Sequence, residues 1–95
     1  MSTKYVLLYE SGELEQAPLH LPAHSARGSA FHERGELLFY GPFAEPLTQG
    51  SMAVFGTREA AEEFVAGDPF VQNGVAQYEL LGWNPVIGKE ELDRL

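Results

Sequence analysis

The sequence predicts an α+β domain in which a four-stranded antiparallel sheet carries two helices on one face. Three observations lead there. Four short stretches are rich in β-branched, aromatic and aliphatic residues. Two helical stretches separate the first strand from the second and the third from the fourth. Glycine and proline punctuate most of the joins.

The first strand is KYVLLYE (4–10), closed by the turn residues SGE. It is nearly all apolar, as a central strand covered on both faces should be. A helix is expected from about 22 to 34. Pro22 suits its first turn, where a missing N–H costs nothing, and Gly35 suits its stop. On that helix Ala23, Ala26 and Ala30 cluster on one side with Phe31 on the flank, a low face able to lie close on a sheet. ELLFYG (36–41) is the second strand. GPFAEPLTQGS, with two prolines and two glycines, reads as a loop, and SMAVFG (51–56) is the third strand. TREAAEEFVAGD (57–68) is the clearest helix. Thr57 is its N-cap, Glu59 sits in its positive first turn, and Ala60, Ala61, Phe64 and Val65 share a face. DPFVQNG (68–74) is one more short turn, and VAQYELLGW (75–83) is the fourth strand. Residues 1–84 thus form one domain, and residues 85–95 a C-terminal tail expected to end in a short helical turn.

Strand, helix, strand, strand, helix, strand is the ferredoxin-like, split βαβ order. Both helices cover one sheet face, and nothing in the chain is left for the other. Val6, Leu8, Leu38, Phe39, Val54 and Leu81 are among the apolar residues distributed over both faces. A bare apolar face of this size calls for a partner, and a second copy packed sheet to sheet under two-fold symmetry is the simplest one. A homodimer is the expectation.

Composition narrows the function classes. A 44% apolar chain with 6 Phe, 4 Tyr and 1 Trp is globular. With no cysteine, neither a disulfide framework nor thiolate chemistry is open to it. The opening MSTKYVLLYESGE has too short an apolar run for a signal peptide, and no run approaches the roughly 20 residues that span a bilayer. A cytoplasmic protein without membrane contact is expected. A net charge of −8 argues against nucleic acid.

HLPAHSARG (20–28) holds two of the three histidines. If Pro22 opens the helix, His20 lies before it and shares no face with His24. The pair is then not a metal pair, and no carboxylate stands in register to complete a site. No metal and no cofactor are expected. His32 falls opposite the alanine face, as a solvated residue. His24 falls at the border of that face in the first turn, where the helix N-terminus favours a neutral imidazole. Two readings stand for His24: a base reaching into a cleft at the sheet edge, or a border histidine bonded to nearby backbone. Two also stand for Asp68: the N-cap of the turn begun by Pro69, or a carboxylate that orients His24. The spacing does not connect them, although the fold puts both helices on one face.

The residues also resemble a family. PAH at the helix start, RGELLFYGPF, GSMAVF and AGDPFVQNGVAQYELLGW occur in the order seen in YciI-like (YCII-related) proteins, over about residues 4–84. GDPF with a glycine soon after is the most specific part. The resemblance implies a dimeric α/β barrel relative with a His–Asp pair in a cleft between helices and sheet. His24 and Asp68 match that pair as catalytic residues. Ser51 matches a small polar position, and Gly41 and Pro42 match a GP step that shapes the cleft wall; all three are expected to bind ligand. Ser25 stands where relatives often carry an aliphatic or aromatic residue, and the FAEPLTQG loop lacks their acidic turn.

Two functions follow as expectations. One is a small cofactor-free enzyme that uses His24 and Asp68 for isomerisation or elimination on a small cyclic or aromatic substrate. The other is a non-catalytic dimeric module that binds a small molecule or a partner. No phosphate-cradling glycine loop or nucleophile elbow is present.

Overall fold

The computed structural model describes residues 3–88. The strands are β1 (Lys4–Ser11), β2 (Leu37–Pro42), β3 (Ser51–Phe55) and β4 (Ala76–Trp83). The helices are α1 (Ala17–Glu33), α2 (Pro46–Gln49), α3 (Arg58–Gly67) and α4 (Pro69–Gln72), with a 3₁₀ turn at Leu14–Gln16. The strands form one antiparallel sheet in the order β2-β3-β1-β4. This is the predicted α+β, ferredoxin-like arrangement, with β1, expected as a central strand, inside the sheet.

Three details of the expected helices are corrected. First, α1 begins at Ala17 rather than near 22, with Pro18 in its first turn and Pro22 inside. Either proline suits a helix start, and the first one takes it. Pro22 then forgoes one i→i−4 bond. Second, the alanine face is exposed. The buried stripe is His24, Gly28 and Phe31, at i, i+4 and i+7. His24 is therefore central to the packed face and remote from the helix N-terminus, so no first-turn dipole acts on it. His20 lies inside α1, four residues from His24. Third, the loop after β2 contains a helical turn, α2, which Pro46 opens and Gly50 closes. The expected helical turn of the tail lies outside the described residues.

The stops and caps follow local chemistry. Gly35, at φ 79°, ends α1 as the Glu36 N–H donates back to the Phe31 carbonyl at 3.0 Å. The Thr57 hydroxyl accepts from the Ala60 N–H at 3.1 Å. α3 buries Ala60, Ala61, Phe64 and Val65. At the centre of the core Phe31 meets Phe55 and Phe64 edge-to-face, with Leu7, Tyr9 and Ala53 in the same cluster.

Arg27 ties the two long helices together. Its guanidinium donates to the carbonyls of Phe64 at 3.1 Å and Glu63 at 2.7 Å, near the C-terminus of α3. It fills the space beside Gly67, where any Cβ would collide with it. The strap draws the middle of α1 toward the step from α3 into α4.

The other sheet face carries a small cluster of Leu38 and Val54 with Val6 against it. Phe39, Met52, Leu81 and Trp83 are exposed, and their ladder partners Val54, Gly41, Val6 and Lys4 place them on this face. The β2–β3 ladder slips by one residue between Leu37 and Phe39. Leu38 is the extra residue of this bulge. Beyond it, Phe39 pairs with Val54 and Tyr40 pairs with Ala53. An unbroken alternation would have pointed Tyr40 away from the helices. The bulge turns it toward them.

Candidate functional site

Asp68 stands at the junction of α3 and α4, and its carboxylate has three partners. It caps α4 by accepting from the Phe70 N–H at 3.1 Å. It faces His24 Nδ1 at 2.8 Å and 3.0 Å. It also accepts a very short hydrogen bond from the Tyr9 hydroxyl. Asp68 thus fills both of the roles considered for it: a cap and the partner of His24.

His24 and Asp68 are 1% and 0% exposed, so each must find its partners within the protein. An ionised carboxylate only accepts, and therefore Nδ1 carries the proton. In the neutral imidazole Nε2 is then the acceptor, and it takes the Tyr40 hydroxyl at 2.7 Å. Phe70 stacks flat on the imidazole with centroids 4.0 Å apart and planes 3° from parallel. The DPF step therefore supplies a carboxylate, a proline that starts α4, and a ring that holds the imidazole in plane.

Burial, followed by the negative charge of Asp68, raises the Tyr40 pKa above the ordinary phenol value. Burial first, and then the bond to Asp68, drives that of Tyr9 far higher still. Both phenols therefore stay protonated through the neutral range.

A cleft of about 340 Å³ opens over this chain. Tyr9, Tyr40, Phe70, Ser51, Pro42 and Leu47 are among its walls, whereas His24 and Gly41 are not. Of the expected residues, His24 and Asp68 meet behind the cleft, Ser51 and Pro42 line it, and Gly41 stands apart. A larger open groove between α1 and the β2 edge, lined in part by Ser29, His32 and Phe39, shares only Tyr40 with this cleft. The exposed His32 bonds the Leu37 carbonyl at 2.7 Å. Among the described residues, no group of three His, Asp or Glu could hold a metal ion. No described helix is long and apolar enough to cross a membrane.

Tyr40, Tyr9 and Phe70 are site residues that sequence reasoning does not find. Tyr40 is concealed by the bulge. Tyr9 reads as one apolar strand residue among several. Phe70 carries a signal in hindsight, an aromatic directly after the Asp-Pro cap.

Fold and site together define a class: a small split-βαβ domain with a buried His–Asp pair under a cleft between helices and sheet. The family model of the YCII-related domain matches residues 3–84. The chain belongs to the YCII-related family. A crystal structure of a conserved protein from Methanosarcina mazei Go1 is similar in fold, with a TM-score of 0.59 and 8% identity over 88% of this chain and 95% of that one. No curated protein matches the chain.

Proposed function

We propose that the protein is a small cofactor-free acid–base enzyme in which Tyr40 is the group that touches substrate, His24 is the proton store and Asp68 the positioning residue. The observation that carries this reading is the continuous chain Tyr40 Oη–His24 Nε2 and His24 Nδ1–Asp68, in which Tyr40 lines the cleft while His24 and Asp68 lie behind it. A substrate proton passes to Tyr40 Oη as Tyr40's own proton passes to His24 Nε2. The imidazolium so formed lies against the Asp68 carboxylate, which compensates its charge. Return of the proton to another substrate atom completes an isomerisation. Departure of a leaving group with its electron pair, followed by release of the stored proton to that group or to water, completes an elimination. Neutral-range chemistry needs the imidazole, because Tyr40 holds its proton tightly.

The test is turnover and solvent-deuterium exchange on a panel of hydroxylated aromatics and lactones. Tyr40→Phe and His24→Gln should each lower the rate about 10²–10⁴-fold, the range of general acid–base help. His32→Ala, outside the network, should not. A rate indifferent to His24→Gln overturns the proposal. The burial of His24 also supports a second reading, in which the network is a rigid floor for a binding module. Binding with no exchange on any compound would favour that one.

The dimer belongs to the same proposal. The exposed Phe39, Met52, Leu81 and Trp83 support a sheet-to-sheet partner of identical chain. Native mass spectrometry should find two copies, and Leu81→Glu with Phe39→Glu should give a folded monomer. A wild-type monomer at micromolar concentration would refute it.

A further inference from the structure

We infer that the cleft selects a small, uncharged, largely apolar compound that offers a proton donor to Tyr40 and an acceptor to Ser51, and that it rejects carboxylates; this rests on the relay proposed above and names its substrate class. The first observation is charge. Among the described residues, no Lys, Arg or His lines the cleft, whereas Glu10 does. The described arginines are engaged elsewhere. Arg27 is on α3 carbonyls, Arg34 on Glu36 and Glu63, and Arg58 on Glu62. Asp68 adds a buried negative charge bonded to Tyr9, itself a wall residue. An anionic ligand would lose water without gaining a counter-charge and would meet repulsion besides.

The second observation is the hydrogen-bond inventory. Tyr40 commits its proton to His24 Nε2 and Tyr9 commits its own to Asp68, so both oxygens present only lone pairs to the cleft. Ser11 donates to the Pro46 carbonyl at 3.1 Å. Ser51, half-buried on β3 directly across the ladder from Tyr9, has a hydroxyl without a protein partner among the described residues. The site therefore accepts at the phenols and can donate at the serine. A ligand that brings an O–H, N–H or acidic C–H to Tyr40 fits this polarity, and it places the transferable proton at the mouth of the relay. Leu14, Leu21, Leu47 and Val75 supply apolar walls for the rest. The volume is at the small end of ligand sites.

Calorimetry on the full chain at neutral pH tests this with three probes of one shape: methyl 4-hydroxybenzoate, 4-hydroxybenzoate and methyl 4-methoxybenzoate. The hydroxy ester should bind about tenfold or more tighter than the carboxylate, a gap of roughly 1.4 kcal/mol. It should also bind several-fold tighter than the methoxy ester, which has no donor for Tyr40. Ser51→Ala should weaken the hydroxy ester by roughly 2- to 10-fold, as loss of one hydrogen bond does, and leave its preference over the carboxylate intact. A carboxylate bound as tightly as the hydroxy ester, or a hydroxy ester that does not bind at millimolar concentration, overturns the inference. The relay fails separately: if the ester is preferred but exchange ignores Tyr40→Phe, the relay is discarded and the selectivity of the cleft stands.

Discussion

Asp68→Ala should destabilise the domain by about 3 kcal/mol or more, because each buried donor left unpaired costs about 1–3 kcal/mol. The change strands three donors at once: His24 Nδ1–H, the Tyr9 hydroxyl and the Phe70 N–H. At roughly 4–8 °C per kcal/mol for a domain of this size, the melting temperature should fall by more than about 12 °C. Asp68→Asn separates stability from chemistry. An asparagine oxygen can still cap α4, so the fold should lose less than with alanine. Its NH₂, however, is a donor. Turned toward the imidazole, it makes Nδ1 the acceptor and leaves the proton on Nε2, facing Tyr40. The relay then has no base, and exchange should drop about 10²–10⁴-fold while the fold persists. Ring-nitrogen NMR of His24 reads the tautomer directly. Asparagine with undiminished exchange would show that the carboxylate does not set the relay's polarity.

Gly50→Ala should be nearly as damaging, for reasons of backbone alone. Gly50 sits at φ 77° and ψ −145°, a region open essentially only to glycine. A Cβ there would also overlap the Tyr9 carbonyl oxygen on the adjacent strand. Strain of about 1–3 kcal/mol and a steric term of similar size point to a loss of about 3 kcal/mol or more. Gly41→Ala is the control, since its Cβ would meet nothing within 4 Å and its φ is ordinary; its effect should stay within about 1 kcal/mol. Equal melting temperatures for the two variants would contradict this account. The strand that would shift carries Tyr9, so the damage should also reach the floor of the cleft.

The fold is legible because local signals agree with one another. Thr57 as cap, Gly35 as stop and the apolar strands all act over a few residues. The first helix misleads for a physical reason. Apolarity points to Ala23, Ala26 and Ala30, but the stripe that packs includes a histidine. A polar side chain becomes a core residue when its partners are built in, and those partners are 44 and 16 residues away. No spacing rule joins residues 24 and 68; only the resemblance pairs them. Tyr40 is hidden more deeply, because strand alternation assigns it to the wrong face and a bulge reverses the assignment.

That bulge has a second effect. β2 is a margin of the sheet, and the main-chain groups of such an edge are a template for pairing with another strand. A kink at Leu38 spoils the straight template such growth requires, so the residue that aims the phenol also guards the chain against runaway strand addition. The aim of the phenol and the shape of this sheet edge hang on the same single-residue irregularity.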